Sequence, residues 1–450
     1  MKINPYIFRA YDIRGIYKKD FDEETFQKIG FVLGKKKEKF LVGNDIRESG
    51  KSLSLALISG LKFSGAKVIY VGTSSFGLTL FSGLKSKVDK TLWVSASHLP
   101  GEWNGLKPYF GDGEPFSPND IEKLKNGVLE IEKKKLKKVK LKLKRISFKK
   151  DYFKFLIDKF PLLKNNNLKV VLDCGNGSMS LVAPELFRKF GFRVIELFCK
   201  PNPKFPNRPS EPTIEATKFL REKVKKEKAD FGVAFDGDGD RGVIVDDKGK
   251  YLDGNLVGII LGKDILPISK NKKIVKTVSC SMAIGEELKK FGAKFFEVPV
   301  GHSYVISACK RKKAILGIEE SNHIVIPEYF LFDDAILIPL KIAEISIKQK
   351  KKLSQLVNET KQYPFEEIVF DCPDEIKFQV VNGLTKEFKK IYKKINTLDG
   401  LKINFDFGWV LIRASATSPK IRLYVEAKNK KRFKYLKEKF SKILIKCIKQ

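Results

Sequence analysis

Phe231-Gly232-Val233-Ala234-Phe235-Asp236-Gly237-Asp238-Gly239-Asp240-Arg241 is the stretch on which the reading of this chain turns. Phe231 to Phe235 is a short apolar run of strand composition, followed at once by a loop in which carboxylates alternate with glycines. Glycine lets such a loop bend until alternate side chains converge on one point. Three hard oxygen ligands on a compact loop suit Mg²⁺, which prefers an octahedral oxygen shell and keeps places for phosphate or water. An EF-hand also opens with alternating acids. Here Arg241 stands at its obligatory glycine, and the flanks Phe231 to Phe235 and Gly242 to Val245 read as strands rather than helices.

The strand-then-glycine-loop pattern recurs outward from this segment. Phe40 to Val42 runs into Gly43, and Lys169 to Leu172 runs toward Gly175, each followed by helical spacing. Alternation of this kind predicts α/β domains with largely parallel sheets, whose ligands gather at the carboxyl ends of the strands. At about 150 residues per domain, 450 residues make three or four domains. Lys133 to Lys150 is very basic, has helical spacing and reads as the link from a first domain to a second. The turn Asp246-Asp247-Lys248-Gly249, with Tyr251 to Gly254, closes a hairpin that leads into a third. Gln362-Tyr363-Pro364 ends a helical run, Lys341 to Lys361, and opens a smaller unit that reads strand, loop, strand and then a long amphipathic helix from about Lys430. The expected domains are 1–149, 150–250, 251–364 and 365–450.

The balance of 88 Lys and Arg against 53 Asp and Glu gives a net charge of +35. The lysines are dispersed, with much of the excess on expected helix faces such as Lys428 to Lys449, so they read as solvated faces rather than a specific nucleic-acid surface. Cys174, Cys199, Cys280, Cys309, Cys372 and Cys447 are widely spaced and form no CxxC pair, which points to reduced thiols rather than zinc or a disulfide framework. Met1 to Gly15 carries charges throughout, and no run of about 18 apolar residues occurs, so neither a secretion signal nor a membrane span is expected. These features point to a cytoplasmic protein.

Three further loops carry chemically useful side chains. In Val94-Ser95-Ala96-Ser97-His98-Leu99-Pro100, followed by Asn104-Gly105-Leu106-Lys107, a small hydroxyl lies beside a histidine with a lysine close behind, as a nucleophile in phosphoryl transfer requires. Gly317-Ile318-Glu319-Glu320-Ser321-Asn322-His323 offers carboxylates and a hydroxyl that match sugar hydroxyls. Arg413-Ala414-Ser415-Ala416-Thr417-Ser418-Pro419, with Arg422 beyond, combines an Arg fork with hydroxyls and loop amides suited to an anion. Each of the three alone is also what an ordinary polar turn looks like. All three histidines, His98, His302 and His323, fall in or near these loops.

Taken in order, the loops resemble the α-D-phosphohexomutase family of phosphomannomutases, phosphoglucomutases and phosphoglucosamine mutases, over essentially the whole chain. Phe8-Arg9-Ala10-Tyr11-Asp12-Ile13-Arg14-Gly15, Val42-Gly43-Asn44-Asp45-Ile46-Arg47-Glu48-Ser49 and Phe205-Pro206-Asn207 with Pro209 and Glu211-Pro212 resemble further family landmarks. The resemblance implies three similar α/β domains with mixed, largely parallel sheets plus a smaller α+β C-terminal domain around a central cleft. It implies that Ser97 is a phosphoserine and that Asp236, Asp238 and Asp240 hold Mg²⁺ together with an oxygen on Ser97. Arg241 would lie beside the metal. Glu319 and Ser321 would bind sugar hydroxyls, and Arg413, Ser415, Thr417 and Arg422 the phosphate that is not transferred. Arg9, Tyr11, Arg14, His98, Lys107 and His302 would line the cleft, with Lys107, His98 and Arg14 all open as proton-transfer or charge-stabilising groups.

The implied reaction interconverts hexose 1-phosphate and hexose 6-phosphate, of mannose or glucose, through a 1,6-bisphosphate that also serves as activator. A phosphoglucosamine mutase and a silent sugar-phosphate binder are the alternatives. The partner expected is a small-molecule sugar phosphate, drawn in by the positive field, with no specific nucleic acid, no membrane, and a monomer or homodimer as the assembly. Three positions depart from the family pattern: Leu99 replaces the usual Asn, Asn322 the usual Gly, and Ser74-Ser75 the usual Thr-Pro.

Overall fold

The computed structural model describes residues 2–137, 141, 143–415 and 418–449. The chain gathers into two compact units, Met1–Asp253 with Asn322–Asn358, and Gly254–Ser321 with Glu359–Gln450.

The first unit opens with β1 (Ile13–Ile16), α1 (Glu23–Leu33), β2 (Lys39–Asn44), α2 (Gly50–Phe63), β3 (Lys67–Thr73), α3 (Phe76–Ser86), β4 (Lys90–Val94), β5 (Trp103–Phe110) and α4 (Pro118–Glu130). The strands form one sheet in the order β1-β5-β4-β2-β3. β2 pairs in parallel with β3 and β4, while β5 runs antiparallel to β4 and β1. Phe40, Val42, Leu92 and Val94 on the sheet pack with Leu53, Leu57 and Leu61 of α2 and Phe26 and Ile29 of α1. The burial of these chains is the main favourable term holding the layers together.

α5 (Lys149–Lys159), β6 (Lys169–Asp173), α6 (Ala183–Phe190), β7 (Arg193–Leu197), α7 (Lys218–Glu227), β8 (Phe231–Phe235), β9 (Gly242–Asp246) and β10 (Tyr251–Leu252) follow. Their sheet, β10-β9-β8-β6-β7, repeats the first in form, with three parallel strands and an antiparallel margin. The expected hairpin at Asp246 to Gly249 is the β9–β10 connection.

In the second unit come α8 (Gly254–Ile268), β11 (Lys273–Thr277), α9 (Met282–Leu288), β12 (Lys294–Val298), α10 (His302–Lys312) and β13 (Leu316–Ile318), with β11 parallel to β12 and to β13. The chain returns to the first unit for β14 (Ile324–Val325), α11 (Leu337–Gln349) and α12 (Leu353–Asn358). It finishes in the second unit with β15 (Phe365–Asp371), α13 (Lys377–Phe388), β16 (Ile395–Asn396), β17 (Leu401–Phe405), β18 (Gly408–Ala414), β19 (Lys420–Ala427) and α14 (Lys430–Lys449). This last sheet, β15-β19-β18-β17-β16, is antiparallel throughout. Its Val410, Ile412, Leu423 and Val425 cluster with Leu384 and Phe388 of α13 and Leu436, Phe440 and Leu444 of α14. The opposite face buries Trp409, Leu411 and Tyr424 against Val278, Met282 and Val300 of the same unit. The α/β class with a smaller α+β C-terminal part therefore holds.

Three local expectations need correction. Of Lys133 to Lys150 only Lys149 and Lys150, which open α5, are helical among the described residues: Lys134 to Lys137, Leu141, Leu143 and Lys144 are irregular, and 138–140 and 142 lie outside the described residues. Leu141 and Leu143 instead press onto the first core with the two-residue spacing of an extended strap, and Arg145 bridges Tyr70 of β3. Lys341 to Lys361 is two helices rather than one run. Lys350 takes a left-handed φ of 53° and Lys351 N–H donates to Ser346 O, which closes α11 in a Schellman manner without a glycine. In the last unit, α13 stands where a bare loop was expected, with Val381, Leu384 and Phe388 forming its buried stripe.

Candidate active site

β4 ends at Val94, and β2, its parallel neighbour, ends at Asn44, so the loops bearing Ser97 and Arg47 leave the sheet side by side. Arg47 is fully buried. Its Nε donates to Asp45 Oδ2 (3.0 Å), Nη2 to the carbonyls of Ser97 (2.8 Å) and Leu99 (2.5 Å), and Nη1 to those of Trp103 (2.9 Å) and Pro100. One side chain thus fastens the Ser97 loop by its backbone, and Leu99 keeps its place through its carbonyl whatever its side chain. Ser210 Oγ bridges the carbonyls of His98 and Leu99 from the other side. Ser97 N–H donates to Ser95 Oγ (2.8 Å), and Ser97 itself is left-handed, φ 54°. A non-glycine residue held there carries backbone strain, a condition concentrated at functional positions.

Ser97 Oγ points at the aspartate loop. It lies 3.0 Å from Asp236 Oδ2 and 3.4 Å from Asp240 Oδ2. That loop leaves the carboxyl end of β8, and Gly239 (φ 84°) supplies the left-handed turn inside it. A Cβ on Gly237 would stand 2.5 Å from Ser97 O, so glycine there allows the two loops to touch. Trp93 and Lys107 face each other across β4 and β5 and reach the same carboxylate: Trp93 Nε1 and Lys107 Nζ each donate to Asp238 Oδ2 at 2.9 Å. Lys107 Nζ also donates to Asp240 Oδ2 (2.6 Å). Burial alone would lower the Lys107 ammonium, but Asp238 and Asp240 outweigh it and hold it above its usual range. Burial, then the charges of Asp240 and Asp238, pushes Asp236 well up. Asp240, despite burial, is held well below the carboxylate range by Lys107, His323 and Arg241.

The residues fit a small oxygen-loving dication. One oxygen from each of Asp236, Asp238 and Asp240 lies within 4.8 Å of the others, all three are buried, and Asp238 Oδ1 is a buried oxygen with no hydrogen-bond donor. An uncompensated buried carboxylate oxygen of this kind is satisfied by a cation. Arg241 flanks the group, 3.6 Å from Asp236 Oδ2 and 3.3 Å from Glu211 Oε1, and its buried Nη2 has no hydrogen-bond acceptor.

Arg14, on β1, pairs with Asp12 (2.7 Å) and adds its charge near Asp240. Arg9 and Tyr11 sit half-buried in the turn before β1, with Tyr11 in electrostatic range of Arg14. His98 is half-buried, and desolvation, then the charges of Arg241 and Arg14, hold its imidazole well below the usual range. Ser97, His98, Lys107, Arg14, Arg241 and the three aspartates therefore meet in one place. His323 joins them, its Nδ1 bonded to Asp333 and its charge felt by Asp240.

The second unit assembles the other expected residues. Glu319 Oε2 accepts from Gly301 N–H (3.0 Å) and Oε1 from Ser321 Oγ (2.6 Å). His302 is buried at the start of α10, directly after that glycine. Asn322, where the chain re-enters the first unit, adopts φ 70°, the left-handed backbone for which asparagine is among the better-tolerated side chains. Arg413, near the end of β18, donates from Nε to Asp399 Oδ2 (2.7 Å). Ser415 Oγ lies 2.8 Å from Ser418 Oγ, and Lys377 Nζ grips the carbonyls of Ser415 (2.6 Å) and Ser418 (3.0 Å). Arg422 is directly opposite Arg413 in register and pairs with Glu367. Thr417 lies outside the described residues.

Beneath this loop, burial and then Glu319 push the Glu320 carboxyl up to about 8, against hydrogen bonds from Ser279 Oγ (2.5 Å) and Thr277 Oγ1 (3.2 Å). The folded chain thus holds this proton more tightly than the unfolded one. The stabilisation is complete below the ordinary value of 4.5 and is lost as pH rises through about 8. Glu320→Gln is therefore expected to melt ever higher relative to the parent chain between about pH 5 and 8, with no such trend below that window, as thermal unfolding across pH will read.

Arg47, Asp45, Ser95, Lys377 and His323 were not assigned roles by sequence reasoning. For Arg47, Asp45, Ser95 and His323 the signal was their place inside segments already singled out; for Lys377 there was none.

Four family models match in order: phosphoglucomutase/phosphomannomutase alpha/beta/alpha domain I over residues 5–135, domain II over 150–249, domain III over 253–363, and the C-terminal domain over 371–443. A phosphoglucomutase/phosphomannomutase of Thermococcus kodakarensis is 32% identical over 98% of this chain and 99% of its own. A probable phosphoglucosamine mutase of Methanopyrus kandleri is 30% identical over 91% of this chain and 90% of its own. The crystal structure of a phosphoglucomutase/phosphomannomutase family protein from Burkholderia thailandensis superposes with a TM-score of 0.88, at 25% identity over 99% of this chain and 98% of that one. Fold, loops and matches together define an isomerase of the phosphohexomutase class. The chain belongs to the phosphoglucomutase/phosphomannomutase family.

Proposed function

We propose that this chain interconverts the 1- and 6-phosphates of mannose or glucose in the cytoplasm, carrying a phosphoryl group on Ser97. The observation that carries the reading is Ser97 Oγ at 3.0 Å from Asp236 inside a buried carboxylate triad flanked by Lys107 and Arg241. Asp236, Asp238, Asp240 and an oxygen on Ser97 would hold Mg²⁺, which when bound supplies neutralisation of phosphate charge.

Phosphoserine gives its phosphoryl group to the free sugar hydroxyl: the Ser97 Oγ–P bond breaks, the sugar O–P bond forms, and the hydroxyl proton passes by way of a base to the leaving Ser97 Oγ. The resulting 1,6-bisphosphate turns over and returns its other phosphate to Ser97. Lys107 and Arg14, both held protonated, act as cations toward the phosphoryl oxygens rather than as bases. Arg241 Nη2 is placed for the same task. His323, oriented through Nδ1 by Asp333, is the proton acceptor while neutral, and the charge it gains on taking the proton is the one that Asp240 feels. Glu319 and Ser321 bind the sugar hydroxyls, while Arg413, Ser415 and Thr417 hold the phosphate that is not transferred.

The close likeness to a phosphoglucosamine mutase keeps the amino sugar as the second reading. Turnover of mannose, glucose and glucosamine 1-phosphates, each with Mg²⁺ and a trace of the matching 1,6-bisphosphate, tests both. Fast turnover of mannose or glucose phosphate that stops on chelation is expected. Turnover of glucosamine phosphate alone would move the assignment to the amino sugar, and binding without turnover of any would leave a silent relative.

A further inference from the structure

Asp399 belongs to none of the motifs considered so far. It lies in the turn between β16 and β17, where Gly400 takes φ 80°. A Cβ on Gly400 would stand 2.3 Å from Ile412 O and 3.0 Å from Arg413 Cα, so glycine lets the turn press onto β18 at Arg413. There Asp399 Oδ2 accepts two hydrogen bonds, from Arg413 Nε at 2.7 Å and from Val300 N–H at 2.9 Å. The next amide, Gly301 N–H, donates to Glu319 Oε2 at 3.0 Å, and Glu319 Oε1 takes the Ser321 hydroxyl at 2.6 Å. Two consecutive backbone amides therefore hold, one each, the carboxylate that grips Arg413 and the carboxylate of the sugar loop.

We propose that Asp399 is a positioning residue that orients the guanidinium of Arg413 and sets its distance from Glu319. The proposal rests on the reading above in which Arg413 holds the phosphate that is not transferred. A guanidinium has one edge that includes Nε and another made of its two terminal nitrogens. With Nε committed to Asp399, phosphate recognition falls to the terminal pair in one fixed plane. Without Asp399 the long side chain has rotamers to lose on each binding event, and affinity falls for want of preorganisation. Arg413 and Asp399 are both largely shielded, at 6% and 17% side-chain exposure, so water does not readily replace the lost acceptor. The untransferred phosphate is gripped alike before and during transfer, so the loss belongs in KM rather than kcat. It also applies equally to 1-phosphate and 6-phosphate substrates, because one loop serves both orientations of the sugar.

The test is a double-mutant cycle in the full chain with Asp399→Ala, Asp399→Asn, Arg413→Ala and the Asp399→Ala/Arg413→Ala pair, assayed in both directions. Asp399→Ala is expected to raise KM for both substrates by the same factor, roughly 10- to 100-fold as for one lost charge-assisted hydrogen bond. Its kcat should stay within about threefold of the parent. Asp399→Asn, which keeps an uncharged acceptor, should raise KM less, and it carries the comparison if the alanine variant does not fold. The double variant should be no worse than Arg413→Ala alone. A full additional penalty in the double variant, or a fall in kcat at unchanged KM, overturns the positioning role. An Arg413→Ala variant with unaltered KM would instead overturn the phosphate-loop reading itself, which keeps the two failures apart.

Discussion

Ser97→Ala is expected to end turnover, with a fall of about 10⁴-fold or more, because the proposed carrier is the hydroxyl that faces Asp236 and Asp240. Ser95 does not substitute: its Oγ is engaged by Asp45 (2.7 Å), Asp238 (2.9 Å) and Ser97 N–H (2.8 Å). The variant should fold, since Arg47 and Ser210 hold the loop through carbonyl oxygens that alanine retains. A second comparison separates chemistry from strain. Ser97→Gly lacks the same hydroxyl but accepts φ 54° at no steric cost. It should therefore be as inactive as Ser97→Ala yet more stable by about 1–2 kcal/mol. Steady-state assays and thermal melts of the three chains check both halves. Residual turnover in Ser97→Ala above about a hundredth of the parent would remove Ser97 from the carrier role.

Arg47→Ala is the second large loss, and it strikes the fold and the site together. The guanidinium is fully buried and bonded to Asp45 and four loop carbonyls. Removing it strands those acceptors and leaves Asp45, whose carboxyl burial already pushes upward, without its counter-ion. Breaking a buried pair in this way costs about 3–5 kcal/mol. Arg47→Lys is the more informative variant. It keeps the charge, but a single ammonium cannot span Asp45 and carbonyls on both sides of the loop. The loop should loosen in a chain that still folds, with turnover falling about 100-fold, the order expected when reacting groups are displaced by an ångström. Denaturant melts paired with kcat for the two variants distinguish loss of fold from loss of alignment.

What could be read from the sequence follows from how local each feature is. The aspartate loop was legible because its carboxylates alternate with glycines within a few positions and its strand immediately precedes it. The four-loop order was legible as a resemblance, although each loop except the aspartates passes for an ordinary turn. Arg47 was visible only as part of a landmark, because the carbonyls it holds lie 50 to 56 positions away and nothing at Arg47 itself announces them. Asp399 was hidden for the same reason, its partners being an amide at Val300 and a side chain at Arg413. The strap at Lys133 to Lys150 misled because lysine suits a helix and so many lysines obscure the alternate spacing of Leu141 and Leu143. The break at Lys350 misled because a lysine occupies a left-handed cap where glycine would have marked the end.

The separation of Ser97 from Asp236 along the chain, 139 positions, has a consequence for the newly made protein. Synthesis proceeds from the N-terminus at about 5–20 residues per second, so Ser97 is made on the order of ten seconds before the carboxylates that face it. During that interval the first sheet can form and Arg47 can draw the serine loop into its strained shape, but the hydroxyl has no acid beside it and Lys107 has no counter-charge. A chain halted between the two sheets therefore lacks the carboxylates that face its serine. On the proposed reading of Ser97 as the phosphoryl carrier, its partners at Asp236 and Asp240 come into place only with the second sheet, whose β8 leads into the aspartate loop.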